Sequence, residues 1–137
     1  MKKYLFLGLS LLMLFSCDPE QTKTKQYVVN GQRLYMQYCT NCHQADGRGV
    51  GKLYPPLNGS DFLKDQAATI CAIRYGLKGE IMVNGQLYDQ PMPAMNTLKP
   101  LDIAEIATFI SITWGGGSQR VTVDQVNEIL SQCKPVD

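Results

Sequence analysis

An all-α fold with one small hairpin is what this chain of 137 residues predicts, and three observations carry the prediction. Apolar residues recur at helical spacing in four stretches bounded by helix start and stop signals. Strict apolar–polar alternation is confined to one short stretch, 81–88, centred on Asn84-Gly85. The pentapeptide Cys39-Thr40-Asn41-Cys42-His43 closes the first helical stretch and sets two thiols and an imidazole on one turn.

Taken in order, the chain opens with an address rather than a fold element. Lys2 and Lys3 precede an apolar run over 4–15, followed by Ser16-Cys17 and a polar stretch over 18–26. The run is too short for a comfortable membrane span and has the order of a secretory signal. Leu14-Phe15-Ser16-Cys17 resembles a bacterial lipobox, although Phe15 is less usual at its position. That resemblance implies a lipoprotein signal peptide over 1–16, Cys17 as the lipidated first residue of the mature chain, and a polar linker through residue 29. Ordinary signal cleavage with Cys17 lost or free is the plainer alternative. Several acyl chains on Cys17 would anchor the protein stably to a membrane.

The domain then runs over 30–137. Asn30 is a suitable cap for a helix through Gln37, with Leu34 and Tyr38 on one stripe. Glycines and prolines over 45–57 indicate an irregular loop. Asp65 begins a helix through Ala68, Ile70, Ile73 and Tyr75, and Gly76 stops it. The hairpin follows, with Asn84-Gly85 as its turn. Asp102 is a plausible cap for a helix to Trp114, whose Ile103, Ile106, Ala107 and Ile110 share a face before the glycines at 115–117. Thr122 and Gln125 form a capping-box pattern for a last short helix carrying Val126, Ile129 and Leu130.

C-x-x-C-H is the spacing at which two thiols attach one haem and the adjacent imidazole ligates its iron. Cysteines three positions apart lie on neighbouring edges of one helical turn, so both can bond the same flat group. A thioredoxin-like pair would follow a strand, and a zinc site would bring a second Cys/His pair at ligand spacing; the sequence shows neither. His43 is the only histidine, so a second imidazole of the chain cannot be the other axial ligand. A methionine thioether is the usual soft alternative.

Four methionines of the mature region compete for that role. Met36 lies too close to Cys39 on the same helix to reach the far haem face. Met82 falls in the hairpin, where packing is the simpler role. Met92, in Gln90-Pro91-Met92-Pro93-Ala94-Met95, is bracketed by prolines that stiffen an extended loop and hold a weak ligand at low entropic cost. Met95 suits core gap-filling better. Met92 is therefore the preferred ligand.

With these residues in view, the stretch 31–126 resembles a class I cytochrome c, in particular the small bacterial single-haem domains. The matching motifs are Gly31-x-x-x-Tyr35, the pentapeptide, Asp46-Gly47-Arg48-Gly49, Tyr54-Pro55-Pro56-Leu57-x-Gly59, Met92-Pro93, and Leu101-x-x-x-x-Ile106-Ala107-Thr108-Phe109-Ile110. The resemblance implies a class I cytochrome c fold wrapped around one covalent haem c, with Pro55 and Leu57 beside it. It implies that a proline carbonyl, from Pro55 with Pro56 a close competitor, accepts from the ligand histidine. It further implies that Gly31 and Tyr35 meet Ile106 and Phe109 where the first and last core helices cross. Positions such as Arg48 and Trp114 often lie near haem propionates in such domains, but loop solvation and core packing explain them equally well.

Function follows from ligation: iron with both axial positions filled offers no substrate site, so the expectation is an electron carrier and not an enzyme. Lys52, Lys64, Lys78 and Lys99 are candidates for transient docking to redox partner proteins of a respiratory chain, although an ordinary solvated surface explains each one as well. The alternative is a haem sensor or weak peroxidase with a labile methionine. Two of the 13 basic residues lie in the leader, leaving 11 against 12 acidic ones, a balance that argues against nucleic-acid binding. A lipid anchor places the protein on the outer face of the cell membrane or in the periplasm. Of five cysteines, Cys71 and Cys133 remain outside these roles. An oxidising compartment allows them to pair, but their spacing in the chain leaves open whether they do.

Overall fold

The computed structural model describes residues 18–134, so the leader and Cys17 lie outside the described residues. Among the described residues, five α-helices, one short 3-10 helix (Asp61–Lys64) and one hairpin make up the fold: α1 (Pro19–Tyr38), α2 (Thr40–His43), α3 (Gln66–Tyr75), β1 (Ile81–Val83), β2 (Gln86–Tyr88), α4 (Pro100–Trp114) and α5 (Val123–Gln132).

α1 departs from the sequence expectation. It starts at Pro19, and its cap is Asp18, whose carboxylate accepts from the Glu20 N–H at 2.9 Å. Proline suits a first helical position because its fixed φ and missing N–H incur no penalty there. Asn30 therefore caps nothing. It sits mid-helix, where its Nδ2 donates to Glu105 Oε1 at 2.8 Å. The polar stretch joins the helix because it contains no breaker and because Tyr27 and Val28 pack against the core.

α1 and α4 form the central crossing. Gly31 allows the approach: a β-carbon there would overlap the Glu105 backbone and crowd Phe109. The Tyr35 ring lies 5.5 Å from that of Phe109, so the aromatic contact matches the expectation, and the tightest approach to Gly31 comes from Glu105 and Phe109. Around this crossing Leu34, Ile70, Ile73, Ile103, Ile110 and Val126 build one core. Inside it, buried Thr108 donates to the Ala104 carbonyl at 2.7 Å and accepts from the Val121 N–H at 3.0 Å, which ties the segment after α4 to that helix.

α4 also begins earlier than Asp102. Pro100 is its first residue, and Asp102 reaches back to accept from the Lys99 N–H at 2.8 Å. A proline at the first position again moves the start toward the N-terminus and turns the expected cap into a third-position acceptor. The Asp65 and Thr122 caps hold: Asp65 accepts from the Ala68 N–H at 2.9 Å, and Thr122 and Gln125 bond reciprocally at 3.2 and 2.8 Å.

β1 and β2 pair antiparallel with Ile81 opposite Tyr88, and Asn84 and Gly85 both take positive φ, as a tight hairpin turn requires. Val83 and Tyr88 are buried, while Met82 is 58% exposed on the other face, so Met82 is not a packed residue. A disulfide joins Cys71 on α3 to Cys133 at the end of α5, with α-carbons 5.7 Å apart.

Candidate functional site

The pentapeptide is presented at the end of α1. Cys39 ends that helix, and the His43 N–H returns to the Cys39 carbonyl at 2.9 Å, so Cys39, Cys42 and His43 stay on one wound turn. Gln44 then breaks the winding with φ 64, held by the Tyr35 hydroxyl, which donates to its carbonyl at 2.6 Å. Both thiols are free and half-buried. Burial, with a smaller contribution from Cys42, pushes the Cys39 thiol up to about 12, so it stays protonated in the closed fold.

His43 is prepared as a neutral ligand. Burial lowers its pKa, outweighing the opposing effect of its hydrogen bond to Pro55. A carbonyl only accepts, so the 3.0 Å contact between His43 Nδ1 and the Pro55 oxygen places the ring proton on Nδ1 and leaves the Nε2 lone pair free. Pro55, not Pro56, provides this carbonyl. The loop that delivers it is folded on itself: Gly49, at φ 66, packs against the Tyr54 and Pro55 carbonyls, and its N–H bonds to the His43 carbonyl at 3.0 Å. Leu57 is placed by its N–H on the Gly47 carbonyl at 2.7 Å.

Cys39, Cys42 and His43 face a cavity of about 910 Å³, its open mouth included. Its apolar walls come from the loop before α3, from α3, from β1 and from α4, among them Leu57, Leu63, Ile73, Val83, Ile106 and Ile110. Tyr35 and the hairpin residue Ile81 also line it. The sequence signals for these two are the Gly31-x-x-x-Tyr35 pattern and the alternation of the hairpin, neither of which specifies a place in the site.

Among the described methionines, Met92 alone lines the cavity, between Pro91 and Pro93. Its backbone forms an isolated bridge with Leu77, two hydrogen bonds of 3.0 Å each. Met95 packs against the core, with its N–H on the Ile73 carbonyl at 3.1 Å, and Met36 is 49% exposed. Arg48 points to solvent and pairs with Asp46 at 3.4 Å, outside the cavity lining. Trp114 packs in the core against Tyr35 and Phe109, with ring centroids 5.1 and 5.3 Å away. Lys52, Lys64, Lys78 and Lys99 are all exposed, and Lys78 stands between the cavity-lining Leu77 and Gly79.

This geometry fits a covalently held haem. Two free thiols on one turn, an imidazole with a free Nε2, and a deep apolar cavity meet the requirements of a flat iron-bearing ring. A strand-borne redox pair is ruled out by the helix that leads into Cys39, and no cluster of three or more His, Cys, Asp or Glu forms a metal site among the described residues. The family model described as cytochrome c matches residues 28–114. The chain belongs to the cytochrome c family. It is similar to cytochrome c-552 of Thermus thermophilus, 31% identical over 113 residues that cover 75% of this chain and 86% of that protein. It is also similar to the cytochrome c subunit of alcohol dehydrogenase (quinone) from Gluconobacter oxydans (strain 621H), 26% identical over 109 residues. That match covers 77% of this chain but 23% of the subunit. As a class I cytochrome c, the protein carries one covalent haem c and transfers electrons.

Proposed function

We propose that this protein is an exported, lipid-anchored monohaem electron carrier in which Cys39 and Cys42 hold the haem and His43 and Met92 are its axial ligands. The observation that carries the reading is that His43, with its Nδ1 proton committed to Pro55, and Met92, pinned to Leu77, line the same apolar cavity.

The haem supplies a one-electron couple on its iron. The chain's own contribution is positional. The Pro55 carbonyl keeps His43 in one tautomer and orientation, and the Leu77 bridge with the flanking prolines holds the Met92 thioether at low entropic cost. The apolar walls exclude water. With both axial positions filled by the chain, no open site remains for a substrate, and an electron enters and leaves with little rearrangement.

Export and anchoring are supported by the order of the leader and by Cys17 at the end of its apolar run. The Cys71–Cys133 disulfide is a feature of oxidising compartments. None of the described helices is long and apolar enough to cross a membrane. Exposed Lys52, Lys64 and Lys78 suit brief electrostatic docking to redox proteins of a respiratory chain, and the likeness to a dehydrogenase cytochrome subunit supports partners of that kind.

The test is the absorption spectrum of the matured holoprotein, oxidised, reduced, and reduced with carbon monoxide, for wild type and Met92→Ala. A low-spin wild type with a sulfur-to-iron band that the substitution abolishes is the expected result. A high-spin wild type that binds carbon monoxide at once would overturn electron transfer in favour of sensing or peroxidase chemistry.

A further inference from the structure

The segment read from sequence as a polar linker would let a lipid-anchored domain swing freely. The described structure leaves almost no slack there. α1 runs unbroken for 20 residues from Pro19 to Tyr38, next to Cys39. Its first half is pinned to the body at two levels. Arg120 Nη2 pairs with Glu20 Oε2 at 2.8 Å, and the same guanidinium covers the Tyr27 ring at 4.9 Å. The Arg120 side chain is only 16% exposed, so the latch sits in the body rather than on a waving side chain.

We propose that α1 is a rigid mast that holds the haem pocket at a set distance from the membrane; this rests on the reading that Cys17 carries the lipid. Only Asp18 stands between Cys17 and the helix, a span of about 7 Å for two extended residues. A 20-residue helix is about 30 Å long. The pocket lies at its far end, because Cys39 lines it. A flexible linker over 17–29 would instead add as much as about 45 Å of reach.

The mast stays out of the bilayer. Its solvent side carries Gln21, Lys25, Gln32 and Arg33, and its exposed large apolar residues, Val29 and Met36, share a face two turns apart with polar Gln32 and Arg33 between them. No lipid-seeking stripe is present on it. The anchor end, formed by residues 18–25 and 118–125, balances Asp18, Glu20 and Asp124 against Lys23, Lys25 and Arg120. Helix geometry, not attraction to charged lipid, therefore sets the placement. The partner it fits is a membrane-bound redox complex whose electron-exchange surface projects about 30 Å from the bilayer, the length of the mast.

Hydrogen exchange read by mass spectrometry on the full-length protein purified from membranes tests this. The expected result is an acylated N-terminal peptide, with amides of 20–29 exchanging within about tenfold of those of 31–38. Fast exchange over 20–29 beside an acylated N-terminus would overturn the mast alone. An unacylated N-terminal peptide would overturn the anchor and, with it, the membrane placement. In vesicles bearing a headgroup fluorophore, quenching by the haem should correspond to a separation of about 30 Å. Quenching at contact distance would overturn the upright placement.

Discussion

Leu77 and Met92 exchange both of their backbone hydrogen bonds, each 3.0 Å, and Gly76 just before them lies directly against the Met92 carbonyl. Gly76 adopts φ 73 and ψ −171, a region open in practice to glycine only. A β-carbon there would also overlap the Met92 oxygen. Gly76→Ala is therefore expected to destabilise the holoprotein by roughly 1–3 kcal/mol and to displace the methionine loop. Its reduced form should bind carbon monoxide, and the sulfur-to-iron band should weaken. A wild-type spectrum in this variant would show that the loop is held by something else.

What could be read in the sequence was the chemistry of neighbours. Asp65 before its helix, Thr122 with Gln125, and Asn84-Gly85 act within a few residues, and each appears as read. The pentapeptide and the proline-bracketed Met92 are equally local. Hidden were the relationships that only the fold creates. The start of α1 meets the body through Glu20 and Arg120, 100 residues apart in the chain. Pro55 and Pro56 are adjacent, and only the path of the loop decides which carbonyl faces His43. Cys71 and Cys133 are separated by 62 residues, and helix packing alone brings their α-carbons within 5.7 Å. Lys99 stands at the cap position of α4, and Asp102 at the third, because Pro100 takes the first helical position.

The α1–α4 crossing should be sensitive to a single methyl group. Gly31 meets the Glu105 backbone, which cannot swing aside as a side-chain tip can. Gly31→Ala should lower stability by about 1–3 kcal/mol, the range for overpacking a tight core, with Gly31→Val worse. Urea unfolding of the holoprotein measures it. An unchanged midpoint would mean that the helices separate at no cost.

The disulfide should act on stability. Closing a loop between residues 62 apart restricts the unfolded chain by about 4 kcal/mol in the chain-entropy model. Replacing Cys71 and Cys133 together by alanine should lower the urea midpoint accordingly, and adding a reductant to wild type should reproduce the effect. A double variant as stable as wild type would show that the covalent haem already restricts the same part of the chain.

The latch on α1 should carry its own pH dependence. The hydrogen bond from Arg120, and then its charge, hold the Glu20 carboxyl below the ordinary carboxylate range. A lowered folded-state pKa means that the unfolded chain binds the proton more readily, so stability rises with pH through this region. The contribution is complete above the ordinary carboxylate pKa of about 4.3 and is lost as pH falls through the lowered value. Glu20 is exposed, so the effect on global stability is small and screened by salt, and local order is the better readout. NMR titration of the Glu20 side-chain carboxyl should give a midpoint below that of a free glutamate, with the amides of the first turns of α1 losing protection over the same pH interval. Arg120→Gln should return the midpoint to the ordinary value and loosen those turns at neutral pH. A wild-type midpoint already at the ordinary value would mean that Arg120 and Glu20 do not hold each other in solution.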